Sequence, residues 1–162
     1  MIIIVTGVTC TGKTSIAKEL SKRLKIKYSD INKLIIKNKL RGKYIKKLDT
    51  YEIDTNKLNK VLIELIKTNK NLIIDSHLSH YLPKKYVNYC IVCRAELKEL
   101  KRRLEKRKYS KEKIKENLES QTLEVCLVDA LEMWHTVIER DTTKKNVKEC
   151  VDEIIKEIKL KT

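Results

Sequence analysis

The segment Gly7-Val8-Thr9-Cys10-Thr11-Gly12-Lys13-Thr14 constrains this chain more than any other part of it. It matches G-x-x-x-x-G-K-[ST], a loop through which a strand turns into a helix. The required context is present. An apolar run, Met1–Thr6, leads in, and Lys13–Leu24 leads out with Ile16, Ala17, Leu20 and Leu24 on one helical face. Gly7 and Gly12 permit a turn so tight that successive N–H groups point inward at an anion. The following helix adds its free N–H donors and the positive end of its dipole. Lys13 supplies a point charge for the β- and γ-phosphates, and the Thr14 hydroxyl suits Mg²⁺. The chain has three glycines, and two of them stand at the required positions. A chance match in a chain of this length is rarer than roughly 1%. The ATP-binding set expected from this loop is Gly7, Cys10, Gly12, Lys13, Thr14 and Ser15.

At 162 residues, with 41% hydrophobic and 36% charged, the chain is long enough to bury a core as one domain, residues 1–162. No run approaches the ~20 apolar residues of a membrane span. Ile2–Val5 is too short and too uncharged at its start for a secretion leader, so a cytoplasmic protein is expected. The five cysteines are scattered. Cys90 and Cys93 lie three apart in an apolar run, and on a strand such residues face opposite ways. That geometry excludes a shared zinc and points to reduced, buried thiols. The net charge of +15 fits an anionic partner, nucleotide or RNA, although lysines are spread along nearly every helix.

Apolar runs alternating with helical patterns indicate βαβ units and a parallel sheet. Strands are expected at Met1–Thr6, Ile26–Ser29, Leu72–Asp75, Val87–Cys93 and Val137–Arg140. Helices are expected at Lys13–Leu24, from a Thr55 cap through Leu58, Leu62, Leu65 and Ile66, at Glu96–Lys106, and at Asn146–Leu160. Ser110 reads as the cap of one long helix reaching about Trp134. The basic stretch from Asp30 to Tyr51 reads as short helices and a loop. Asp75 ends a buried run, which places its carboxylate at the carboxyl end of a strand beside the phosphate loop, ready to hold Mg²⁺. Arg103 and Arg107, four apart on one helix face, can converge on one point.

Five landmarks in order resemble the adenylate kinase isoenzyme six family. They are Gly7–Thr14, Asp54, Ile74-Asp75-Ser76-His77, Arg103-Leu-Glu-Lys-Arg107-Lys-Tyr109, and Lys113-Ile-x-x-Asn117. The resemblance implies an α/β P-loop NTPase fold of the nucleoside monophosphate kinase type: a five-stranded parallel sheet flanked by helices. It also implies a monophosphate-binding region near 29–52 and a short lid near 106–116. It implies Mg²⁺-dependent transfer of the ATP γ-phosphoryl group to AMP or another nucleoside monophosphate, ATPase activity, and a part in small ribosomal subunit maturation. Partners implied are a platform ribosomal protein and rRNA. The Asp-x-His element, Asp75 and His77, stands where other P-loop proteins carry Walker B. Arg103 and Arg107 resemble lid arginines that contact adenine and phosphates. Lys145 lies in a segment, Thr142–Lys145, that resembles the adenine-contacting loop. The catalytic set is then Lys13, Asp75, His77 and Arg107, with Thr14 and Asp75 on the metal.

The chain departs from that family at Val8-Thr9-Cys10, where Thr-Pro-Gly is usual. It also has no clean match to the usual acceptor arginine, offering only Lys37 or Arg41 nearby. The first departure keeps the minimal motif and sets a thiol near the phosphates; the second weighs against efficient AMP phosphorylation and leaves ATP binding untouched. An ATP-driven assembly factor is the second reading, and a kinase for another small acceptor, such as shikimate or a nucleoside, the third.

Overall fold

Five consecutive β-branched or apolar residues buried on both faces make β1 (Ile2–Thr6) the centre of a sheet rather than an edge. The computed structural model describes residues 1–161. Thr162, the last residue of the expected domain, lies outside them. Around β1 the order is β2 (Lys27–Asp30), β5 (Leu72–Asp75), β1, β6 (Tyr89–Arg94), β7 (Val137–Asp141), all parallel. The fold is therefore an α/β P-loop NTPase with a five-stranded parallel sheet.

Alternation along β1 divides the core. Ile3 and Val5 pack with Ile16 and Leu20 of α1 (Lys13–Leu24) and with Val151 and Ile154 of α7 (Val147–Lys161). Ile2 and Ile4 face the other way, onto Leu58 and Leu62 of α3 (Thr55–Thr68) and Ala130 of α6 (Val125–Glu132). A slip of one residue would exchange these sets, so both layers fix the register. Cys93 belongs to the first layer and Cys90 to the second, as expected for residues three apart on a strand. A third cluster, Val8, Ala95, Leu100 and Leu104, carries α4 (Leu97–Lys106) and α5 (Lys111–Thr122) onto the phosphate loop.

Three expectations are corrected. The cap of α3 is Asp54, whose carboxylate accepts from the N–H groups of Asn56 and Lys57, and not Thr55. Aspartate accepts two orphan donors where threonine would serve less well. The basic stretch holds a short helix, α2 (Ile31–Lys37), and then an antiparallel hairpin of β3 (Arg41–Ile45) and β4 (Thr50–Ile53), not a loop. Its strand pattern is broken by a register shift between Arg41 and Tyr44, which obscures the alternation. The long helix beginning at Ser110 is two helices. Ser110 does cap α5, accepting from Lys113 N–H at 3.1 Å. Glu124 then adopts left-handed φ 51°, and α6 starts on a new axis. The break lets α5 pack on α4 while Leu127 and Ala130 of α6 reach the sheet.

Candidate active site

The phosphate loop is held open by contacts that leave no room for change. Gly7 has φ 139°, and a Cβ there would stand 2.3 Å from the Cys93 carbonyl oxygen. Gly12 has φ 87° and directly precedes α1, so both glycines occupy backbone that other residues rarely adopt. Thr11 is buried and donates its hydroxyl to Val8 O at 2.8 Å. Asn117 Oδ1 accepts from Thr9 N–H at 3.0 Å, tying α5 to the loop. Lys13 Nζ donates to Val8 O at 2.8 Å. Burial holds this ammonium below the ordinary lysine value, against the opposing pull of acidic neighbours including Asp75. An anion in the loop would relieve that desolvation.

Parallel pairing with β1 and β2 brings Asp75, at the end of β5, to the loop's lip. Its Oδ2 accepts from Thr14 Oγ1 at 2.6 Å and from Tyr28 Oη at 2.9 Å. The sequence-expected metal pair therefore lies within hydrogen-bond reach. One hydroxyl and one carboxylate are the hard-oxygen set with which Mg²⁺ is held when waters and phosphates complete its shell, so the residues present fit that ion. Tyr28 is a partner the sequence did not flag. Burial first, and then the Asp75 charge, raises its phenol well above the usual range, so it stays a donor.

His77 points into the same cleft. Desolvation by the cleft walls, then the Lys13 charge, lowers its imidazole to about 4, so it is neutral at pH 7. His80 is buried instead: its Nδ1 lies 2.8 Å from Thr6 Oγ1, and its Nε2 3.4 Å from Asp129 Oδ2. Tyr81 Oη also donates to Asp129, at 2.8 Å. These contacts brace the strand end just before Gly7.

Arg103 and Arg107 do not converge equally. Arg103 is spent on protein acceptors: Thr142 O at 2.6 Å, Thr142 Oγ1 at 2.9 Å, Cys10 O at 3.3 Å, and Glu99 at 2.7 Å. Arg107, exposed just past the end of α4, borders both cavities of the site. Lys145 lines one cavity with its ammonium paired to Glu153. Thr142, buried, donates to Thr11 O at 2.9 Å and so locks the loop after β7 to the phosphate loop.

The phosphate loop separates two cavities. One, about 770 Å³, lies among Ser15, Ile16, Arg103, Thr142, Lys145 and Val147. The other, about 620 Å³, is lined by Lys13, Thr14, Asp75, His77, Tyr51 and Lys113 among others. Cys10, Gly12, Ser15 and Arg107 border both. Two ligand-sized spaces meeting at one phosphate loop are the geometry for passing a group from one bound molecule to another.

Residues 3–124 match a protein family described as "AAA domain". A protein of Methanocaldococcus jannaschii named "Putative adenylate kinase" is 41% identical over 161 residues, covering 99% of this chain and 88% of that one. A protein of the same name from Thermococcus onnurineus is 39% identical over 155 residues, covering 96% and 82%. The chain belongs to this archaeal family. Among solved structures, shikimate kinase from Acinetobacter baumannii bound to shikimate superposes with a TM-score of 0.72 at 14% identity, covering 99% of this chain and 94% of that one. The YorR protein of Bacillus subtilis, in complex with phosphorylated GDP, gives 0.66 at 19% identity, covering 99% and 97%. These two likenesses concern the fold.

For a member of this family, the residues that sequence reasoning left out of the site are Tyr28, Thr142, Asn117 and Asp129. Tyr28 and Asp129 sit in no local motif. Asn117 and Thr142 fell within segments singled out for resemblance, but their partners, Thr9 and Arg103, are distant in sequence.

Proposed function

We propose that the protein is a phosphotransferase that moves the γ-phosphoryl group of ATP to a nucleoside monophosphate. The observation that carries this reading is the Thr14–Asp75 pair in the second cavity, beside the phosphate loop that separates it from the first. ATP would lie with its base among Ile16, Thr142 and Val147, and its phosphates along Gly7–Thr14. Lys13 would leave Val8 O for the phosphates, and the loop N–H groups would take up charge as it develops. Thr14 and Asp75 would hold Mg²⁺, which when bound neutralises phosphate charge. Arg107, bordering both cavities, would reach the group in transit. Neutral His77 would orient the attacking oxygen. Residues 29–52 form the monophosphate-binding wall and 106–116 the lid in this reading. Ser110 Oγ already donates to Lys47 O at 2.9 Å, which supports closure of one over the other and exclusion of water.

The finer reading, an enzyme of the isoenzyme six type with ATPase activity and a cytoplasmic role in small ribosomal subunit maturation, rests on the ordered landmarks of the sequence. Among the described residues, no helix is long and apolar enough to cross a membrane. One observation favours hydrolysis over transfer: the acceptor cavity draws cations from Lys13, Arg107 and Lys113, and none from the hairpin. Arg41, the one arginine there, lies over the Tyr51 ring at 4.6 Å. Lys13→Ala and Asp75→Asn should each lower ATP turnover at least about 100-fold. Turnover at the wild-type rate in Lys13→Ala would overturn this mechanism.

A further inference from the structure

Two basic segments far apart in sequence meet at the mouth of the acceptor cavity. Between Asp30 and Asp49 there are seven lysines and arginines and no acidic residue. Between Lys106 and Lys113 there are five cations against one acid, Glu112. The Ser110–Lys47 hydrogen bond and one from Lys113 Nζ to Asp49 O, 3.4 Å, join the two segments into one surface. Elsewhere, among the described residues, ten of the other 25 lysines and arginines stand in ion pairs with carboxylates; Arg102 and Arg103 share Glu99, and Arg140 and Lys145 pair with Glu157 and Glu153. Among the described residues, the seven cations of the first segment form no ion pair, and Lys33, Lys37, Lys39, Lys43, Lys46 and Lys47 are exposed.

Aromatic rings stand within this charge. Tyr44 and Tyr51 face each other across the hairpin with centroids 5.0 Å apart, and they remain 46% and 39% exposed. Arg41 lies over the Tyr51 ring, and Lys113 lies 4.4 Å from the centre of Tyr109. ATP and a mononucleotide together bring a handful of phosphates, already met by Lys13, the loop amides and Arg107. Eleven further cations beside exposed rings exceed what those ligands require. Cations tracking a backbone, with rings on which successive bases stack, are the chemistry that holds single-stranded nucleic acid. Duplex faces would use the charge and leave the rings idle.

We propose that the hairpin Arg41–Ile53, with the start of α5, is a binding surface for single-stranded RNA or DNA. The proposal does not depend on the phosphoryl-transfer reading. Tyr44, Lys43 and Lys46 belong to the 29–52 wall but lie outside both cavities, and binding of the nucleic acid is read without ATP or a monophosphate present.

The test is fluorescence anisotropy of a labelled single-stranded RNA of about a dozen nucleotides, titrated with the full chain without ATP. Salt is varied from about 50 to 200 mM. Tyr44→Ala should weaken binding roughly 10-fold, while Tyr44→Phe, which keeps the ring, should bind like wild type. Lys43→Glu/Lys46→Glu should flatten the slope of log affinity against log salt by about 1.4, from about 0.7 per phosphate contact. A duplex of the same length should bind without dependence on Tyr44. Three results would overturn the proposal: no binding of the single strand by wild type at the lowest salt; equal binding by Tyr44→Ala; or inorganic polyphosphate and phosphatidylserine vesicles binding as tightly as the RNA. Matching melting temperatures of Tyr44→Ala and Tyr44→Phe would show that the hairpin persists in both.

Discussion

Tyr28→Phe removes one atom and leaves the ring packed where it is, at the edge of the α1–α7 side of the core. What is lost is a 2.9 Å hydrogen bond to Asp75 Oδ2, the oxygen that Thr14 also uses. Hydrogen bonds to charged groups contribute about 1.5–3 kcal/mol when buried. Tyr28 is half-buried and Thr14 still satisfies the same oxygen, so about 1 kcal/mol of stability should go, or about 2–4 °C in Tm at this length. The effect on metal should be larger. When Thr14 turns to Mg²⁺, Tyr28 becomes the group that fixes the carboxylate's orientation, and loss of such an outer partner typically weakens metal affinity 10–100-fold. Because its phenol is raised above the usual range, Tyr28 stays a donor throughout the working pH range, and the difference should not vary between pH 6 and 9. The assay is electron paramagnetic resonance of free Mn²⁺, titrated into each protein with ATP present. Affinity for ATP without metal should match between the two. If Tyr28→Phe binds Mn²⁺ within a factor of two of wild type, the reasoning about Asp75 is refuted. If wild type itself shows no nucleotide-dependent Mn²⁺ binding, the assignment of Thr14 and Asp75 falls first.

Further outcomes follow from the same geometry. Gly7→Ala should abolish ATP binding measured by calorimetry, because its Cβ would stand 2.3 Å from a backbone carbonyl oxygen that cannot swing away. His77 has a folded pKa of about 4 against an ordinary 6.5, so the unfolded chain binds its proton first. Stability should therefore be full above about pH 6.5 and fall as pH drops towards 4; His77→Gln should flatten that part of a Tm–pH profile. Cys10 is half-exposed in the phosphate loop, whereas Cys90, Cys93 and Cys150 are buried with raised thiol pKa values, Cys93 to about 12. Iodoacetamide followed by peptide mass spectrometry should find Cys10 modified ahead of those three, and ATP should slow it. Arg103→Lys should raise the KM for ATP more than it lowers kcat, since one ammonium cannot hold Cys10, Thr142 and Glu99 together.

Much of the fold was legible because its strands are buried on both faces and announce themselves as continuous apolar runs. Ile2–Thr6 and Leu72–Asp75 could be bounded to within a residue, and the glycines of the phosphate loop fixed the turn between strand and helix. Asp75 was legible for the same reason, as the polar residue ending a buried run. The hairpin was not, because Lys, Arg and Gly in Arg41–Ile45 carry little strand preference, and the register shift breaks what alternation there is. The break at Leu123–Glu124 was hidden because no Gly or Pro marks it; it is imposed by what each half packs against. Tyr28 was unreadable as a site residue, and so were the contacts that Thr142 and Asn117 make, because the three reach partners 47, 39 and 108 positions away. Arg103 shows the reverse: spacing brought it to the right helix face, and the structure commits its guanidinium to holding two loops together.

The measurement that bears most directly on the central claim is the identity of the product formed from ATP·Mg²⁺ with AMP, CMP, GMP or UMP, followed by chromatography. The account predicts that at least one monophosphate is converted to its diphosphate in step with ADP formation, and that Lys13→Ala loses this conversion. Release of inorganic phosphate alone, at a rate no monophosphate changes, would contradict it and leave the cleft beside Asp75 as the seat of hydrolysis.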